Sequence, residues 1–269
     1  MQNFCVKPFI AIAIMASLSH HAYADTIDDP CAGPAALLNI IDRPTVSDSP
    51  CVVPYKQFVL EAGYQYQQLT HSAGHEQNYP EAEFRIGLPA DNEFSVLLPN
   101  HISQSMMPHN GTTATEFGIK HKIGYNQFWA SAIEALMIMP NGSAAFGSKA
   151  IGTAVNGIAS YTFNPQFAVS LMLGASSETE PSQQGGERYS SINQFITFTY
   201  APINVLNLYA EVYGQSKTSP NENSGYNMDA GIIYLLKPNL TVDIEIGQRI
   251  SGNLGGINHY AGTGFAWMF

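Results

Sequence analysis

From Phe58 to the C-terminus the chain alternates apolar and polar residues with a period of two, over and over. Within 58–67, Phe58, Leu60, Ala62, Tyr64 and Tyr66 fall on one face, and Val59, Glu61, Gly63, Gln65 and Gln67 on the other. Near residue 240, Leu240, Val242, Ile244 and Ile246 alternate with Thr241, Asp243, Glu245 and Gly247. Successive side chains of a strand point to opposite faces, whereas helical spacing cannot sort these residues onto two clean sides. The pattern predicts twelve strands, near 57–69, 80–88, 93–99, 115–125, 128–139, 152–163, 167–177, 189–200, 205–215, 226–236, 240–249 and 259–269. Short turns at 89–92, 126–127, 164–166, 201–204 and 237–239 recur about every 37 residues and alternate with longer connections.

An even number of antiparallel strands, with short turns on one rim and longer loops on the other, is the layout of a transmembrane β-barrel. A soluble β-sandwich would also alternate, but it gives no reason for the regular exchange of short and long connections. Composition agrees with the membrane reading: 12% of residues are charged, about half the usual share. No stretch after residue 24 approaches the roughly 20 apolar residues of a membrane-spanning helix, and mean hydropathy is -0.05. Phe94, Tyr125, Trp129, Tyr161, Phe163, Phe167, Phe198, Tyr200 and Tyr234 lie on the apolar register close to the short turns, as an interfacial aromatic girdle requires. Phe265, Trp267 and Phe269 end the chain on one face, and this looks like the signal that outer-membrane barrels present to their assembly machinery.

Residues 1–24 read as a secretory signal, with Lys7, an apolar core from Phe9 to Leu18 and the small-x-small site Ala22-Tyr23-Ala24. Cleavage before Asp25 would remove Lys7 and take the net charge from -10 to -10 - 1 = -11, too acidic to suggest nucleic-acid binding. It would also remove Cys5 and leave Cys31 and Cys51, which in an oxidising compartment have one possible pairing. The neighbouring Asp28 and Asp29 read as solvated. Five prolines between 25 and 55 mark an extension rather than a strand, with Ala35 to Ile41 able to form a helical turn. This segment is expected either in the periplasm or folded into the lumen as a plug, ahead of a barrel at 56–269.

At the junction the chain reads Asp42-Arg43-Pro44-Thr45-Val46-Ser47-Asp48-Ser49, then Val53-Pro54-Tyr55-Lys56-Gln57-Phe58-Val59-Leu60-Glu61-Ala62-Gly63-Tyr64. This resembles the outer-membrane β-barrel family of the putative MetA-pathway of phenol degradation, whose members often begin with Arg-Pro-x-x-x-x-Ser, a Val-Pro pair and Glu-x-Gly-Tyr in the first strand. Phe84 to Leu88, Phe117 to Ile123 and Met139-Pro140-Asn141-Gly142 match more loosely, and the later strands match only in pattern. The resemblance implies a transporter-like channel for small, aromatic or otherwise hydrophobic compounds. Cys31, Cys51 and His121, where an aromatic is usual, depart from the pattern.

The polar register places Glu61, Glu83, Glu134, Glu211, Asp229, Asp243 and Glu245 inside the barrel, against Arg85, Lys120, Lys122 and Arg249. Two readings are open: a lumen preferring cations, or an interior in which Arg85, Lys120 and Lys122 pair neighbouring strands. Tyr209, Tyr213, Phe195, Met172, Leu136, Ile138, Ile233 and Leu235 interrupt that register, as a greasy patch for a solute or as packing for the extension. Catalytic residues are not expected: His259 with Ser251 or His121 lacks an acidic partner and any Gly-x-Ser-x-Gly or His-x-Ser motif, so an outer-membrane lipid hydrolase is a remote alternative. No metal is expected, because His71, His75, His101 and His109 lack ligand spacing, and no cofactor is implied. A surface-structural or adhesin barrel would instead use the loops at 99–114 and 178–189. The reading is an all-β outer-membrane channel whose partners are membrane lipid, the barrel-assembly machinery and a small solute.

Overall fold

The computed structural model describes residues 29–70 and 74–269; the expected signal at 1–24 and Asp28 lie outside them. A single helical turn, α1 (Leu37–Ile40), precedes fifteen strand segments. These are β1 (Phe58–Leu69), β2 (His75–Tyr79), β3 (Glu83–Leu88), β4 (Asn92–Leu97), β5 (His101–Gln104), β6 (Asn110–Thr112), β7 (Glu116–Tyr125) and β8 (Trp129–Ile138). There follow β9 (Gly152–Asn164), β10 (Phe167–Thr179), β11 (Arg188–Ile203), β12 (Leu206–Gln215), β13 (Gly225–Lys237), β14 (Leu240–Ser251) and β15 (Ile257–Met268). The pairs β2/β3, β4/β5 and β6/β7 each run end to end along one wall position, so the segments make twelve antiparallel barrel strands.

The barrel closes where β15 pairs with β1, in a register running from Val59↔Met268 to Leu69↔Ile257. Phe58 and Phe269 exchange backbone hydrogen bonds of 2.9 Å, and their rings stack 5.7 Å apart. Other rings at this short-turn end pack as well, Phe167 stacked on Tyr200 at 4.6 Å and Trp267 tilted against Phe269 at 5.2 Å. The period of two fixes sidedness: Ile244 is 56% exposed, while its neighbours Asp243 and Glu245 are 3% and 5% exposed. Ile119, Ile123, Leu171 and Leu173 extend this outward apolar belt, which suits lipid and not water.

Two expected loops are strand. The 99–114 region holds the β5–β6 hairpin, and β2 lies ahead of the strand expected to start at residue 80. Pro80 and Pro99 punctuate the sequence there and read as loop, but a proline removes only one ladder donor and the pairing resumes beyond it. One backbone bond spans each break: Gly63 N–H to Pro80 O at 2.6 Å, Leu98 N–H to Ala82 O at 2.8 Å and Thr113 N–H to Asn100 O at 3.0 Å.

Candidate functional site

Most of the segment from residue 29 to 54 lies inside the barrel, which the chain leaves at the short-turn end, where Tyr55 to Gln57 are exposed. Leu37, Leu38, Ile40 and Ile41 bury themselves with Val53 and the Cys31–Cys51 pair against Val59, Ala130, Tyr209, Ile233, Leu235 and Ala266 of the wall. The two cysteines are joined in a disulfide. Of the apolar inward residues, Tyr209, Ile233 and Leu235 therefore pack against this segment.

Beyond the apolar packing the contacts become ionic. Arg85, 1% exposed, donates Nε and Nη2 to Glu93 at 2.7 and 3.1 Å and Nη1 to Glu61 at 2.7 Å. It also bonds the Ile40 carbonyl at 2.8 Å and lies 3.0 Å from Asp42. Lys120 donates to Asp42 at 2.9 Å and lies 3.7 Å from Glu134. Glu61 in turn accepts the backbone N–H of Arg43 at 2.7 Å, and Glu93 that of Val53 at 2.6 Å. The cations thus join wall to segment as well as strand to strand. Oxygens of Asp42, Glu61 and Glu83 lie within 4.8 Å of one another, but the Arg85 guanidinium already occupies two of these three carboxylates. Asp29, expected in solvent, accepts from Lys122 at 3.1 Å and from Cys31 N–H at 2.9 Å; the lumen brings a cation to it that no local sequence feature announces.

Arg43, which is not among the expected site residues, reaches the closing seam of the barrel. Its guanidinium donates to Glu81 at 2.7 Å and Asp243 at 3.3 Å. It lies over the cross-strand pair Gly63↔Gly264, where a Cβ on either glycine would stand 2.4–2.5 Å from guanidinium atoms. Burial works against its charge, but Asp243 and Glu81 outweigh that and hold the group above the ordinary arginine range. The sequence signals available are the single arginine-proline step and two inward-register glycines, Gly63 and Gly264, in the first and last strands.

The tip of the segment is captured by Glu211, which accepts Val46 N–H at 2.8 Å, Ser47 N–H at 3.1 Å and Thr197 Oγ1–H at 2.6 Å, and pairs with the Ser47 hydroxyl. Toward the loop end, Tyr260 donates to Asp229 at 2.7 Å and its hydroxyl lies 3.2 Å from that of Tyr213; Glu245 accepts from Gln65 at 3.1 Å. Arg249 is exposed at that end, bonded to the Gly252 carbonyl at 3.2 Å and, among the described residues, in no ion pair.

Space remains around the tip. On its loop-end side lies a cavity of about 440 Å³ lined by Glu83, Glu116, Glu134, Leu136, Met172 and Phe195. A second, of about 260 Å³, is lined by Phe195, Tyr213, Tyr260, Leu254 and Ile257, and Val46 borders both. A wider space of about 860 Å³ lies among the loop-end residues. On the short-turn side of the tip a cavity of about 140 Å³ separates the segment from the wall.

The family model described as Putative MetA-pathway of phenol degradation matches residues 109–269. The match therefore includes the later strands, whose sequence resembles the family only in pattern, and excludes the motifs at 42–64. Among solved structures the chain is similar to the COG4313 outer membrane channel from Pseudomonas putida F1, with TM-score 0.65 and 11% identity over 85% of this chain and 100% of that one. It is also similar to the KdgM porin, with TM-score 0.55 and 11% identity over 78% and 99% of the two chains. The NanC porin follows at TM-score 0.50, 11% identity, 78% and 98%. No curated protein matches in sequence.

Proposed function

This chain belongs to the family of the putative MetA-pathway of phenol degradation, and we propose that it is a narrow outer-membrane channel for passive passage of small solutes. The observation that carries the reading is the lumen itself. Residues 29–54 occupy its short-turn half, held by ion pairs, yet cavities of about 440 and 140 Å³ remain on either side of the tip. A fully packed interior would leave no such space for a solute.

In this reading residues 1–24 are cleaved on export, 25–55 form the plug and 56–269 the barrel, inserted with its short turns in the periplasm. Phe265, Trp267 and Phe269 address the assembly machinery. Glu83, Glu134, Tyr213, Asp229, Glu245 and Arg249 line the open half, whereas Glu61, Arg85, Lys120, Lys122, Tyr209, Glu211 and Asp243 hold or flank the plug. The rings and aliphatic groups of the 260 Å³ cavity favour a solute with an apolar or aromatic face, and the acidic excess favours cations over anions.

Purified full-length protein in a planar bilayer tests this. The expected result is small, cation-preferring current steps. Folded, inserted protein that passes no ions overturns the channel reading.

A further inference from the structure

We infer that solute bypasses the docked segment along the β8–β11 wall, and that one layer, Ala132 and Ile158 of the wall facing Ser47 and Asp48 of the tip, is the constriction deciding what passes. This rests on the channel reading above and assigns its selecting residues.

The two cavities on either side of the tip share this wall. The loop-end cavity is lined by Glu134, Asn156, Met172 and Phe195, the other by Ala130, Ser160, Ser170 and Thr197. Among the described residues, Asp48 alone lines both. Side chains of one strand face inward at every second position, so the residues between the cavities can be read directly. On β9 the inward residue between Asn156 and Ser160 is Ile158, and on β8 that between Glu134 and Ala130 is Ala132. They are cross-strand partners, 2% and 1% exposed. On β10 and β11 no inward residue intervenes, since Met172 follows Ser170 and Phe195 precedes Thr197 in the same register. The separation between the cavities is one side-chain layer thick.

Other walls hold the segment. Toward β1, β3, β4 and β7 the segment is bound by Glu61, Arg85, Glu93 and Lys120, and toward β14 by Asp243. The Val53 and Pro54 backbone lies against Gly87, where a Cβ would stand 2.1–2.3 Å from their carbonyl oxygens. On the β9–β11 side the short-turn half presents Ser160, Thr162, Ser170 and Thr199. Among the described residues none of these four side chains hydrogen-bonds the segment. Thr197 of β11 touches the segment at its tip, through the Ser47 hydroxyl at 2.8 Å, but these four residues behind it do not, and the gap lies on their side. The bypass therefore needs no release of the plug. It needs room at Ile158, and it carries the solute past the Asp48 carboxyl.

The test uses the full chain in planar bilayers, with folding of each variant checked by the heat-dependent shift of barrels on detergent gels. Ile158→Ala should raise conductance several-fold and Ile158→Trp should abolish it. Ser47 Oγ and Thr197 Oγ1 lie 2.8 Å apart, so the double variant S47C/T197C can be oxidised to fix the tip to the wall. Conductance equal in its oxidised and reduced states supports a bypass beside a docked plug. Loss of current on oxidation, regained with reductant, overturns it in favour of plug release. Current in folded protein indifferent to both Ile158 variants overturns the assignment of the constriction. If wild type and Ile158→Ala both fold and stay silent, the channel reading itself has failed, and the bypass with it.

Discussion

Replacing Glu211 by Gln isolates the grip on the plug tip. The carboxylate accepts from Val46 N–H on one oxygen and from Ser47 N–H, the Ser47 hydroxyl and the Thr197 hydroxyl on the other. A glutamine has the same shape but one acceptor oxygen. Whichever way the amide turns, an NH₂ group meets a donor, so at least one charge-assisted bond to the backbone is lost and the rest lose their charge. A hydrogen bond to an ionised group contributes about 1.5–3 kcal/mol net. Release of the tip should then become about 10- to 150-fold more favourable, at about 1.4 kcal/mol per decade. Amide hydrogen exchange in detergent micelles reads this at the bonds themselves, because Val46 and Ser47 exchange only when their N–H groups leave Glu211. The expected result is acceleration at Val46 and Ser47 by that factor, with Ala210 and Val212 unchanged in the β11–β12–β13 ladder. Unchanged exchange at the tip would refute the grip. Equal acceleration across the strands would show that Glu211 stabilises the barrel rather than the plug.

Lysine at outward-facing Ile244 should destabilise the barrel by about 2–4 kcal/mol if it lies near the bilayer midplane, read by reversible unfolding into urea from lipid vesicles; Glu245→Lys should instead shift ion selectivity. Equal stability losses for the two would put the register in error. The Cys31–Cys51 bridge spans 20 residues, for which chain entropy gives about 3 kcal/mol. C31S/C51S should accordingly speed exchange at the buried Leu37 to Ile41 amides while the barrel ladder holds; no change there would mean that the ion pairs alone fix the segment. Burial, followed by the neighbouring Glu134 and Asp42 carboxylates, pushes the Asp48 carboxyl well above the ordinary aspartate range. A docked Asp48 thus holds its proton more tightly than a released one, so docking is tightest at acid pH and weakens as pH rises from the ordinary aspartate value through the raised one. Beyond the intrinsic pH dependence of exchange, the Ser47 amide should lose protection over that interval, and D48N should flatten the profile. A profile identical in wild type and D48N would remove Asp48 from the docking equilibrium.

The division between what the sequence makes legible and what it hides follows from the range over which each feature is determined. Strand identity and sidedness are local: alternation at Ile244 and Glu245 needs only the two-residue period, and the structure places one outward and the other inward. The Cys31–Cys51 pairing needs only two cysteines. Where a local rule competes with a wider one, the local reading errs, as at Pro80 and Pro99, where flanking ladders on both sides carry the strand through a missing donor. Charge partners have no local signature. Arg43 meets Asp243 across 200 residues only because β15 closes on β1, and Asp42 meets Lys120 only because the segment folds inward rather than away. In water the stretch from Asp42 to Asp48 would be a solvated, proline-bearing linker. Inside a closed barrel these carboxylates cannot keep their hydration: Asp42 finds Lys120, Arg85 and the Ser49 N–H, while Asp48 holds its proton more tightly instead, and those requirements help dictate where the segment docks. Gly63 and Gly264 are the exception that a sequence does expose. Two inward positions without side chains, paired across the closing seam, leave a socket that only a long cationic side chain from the lumen can fill while neutralising Asp243.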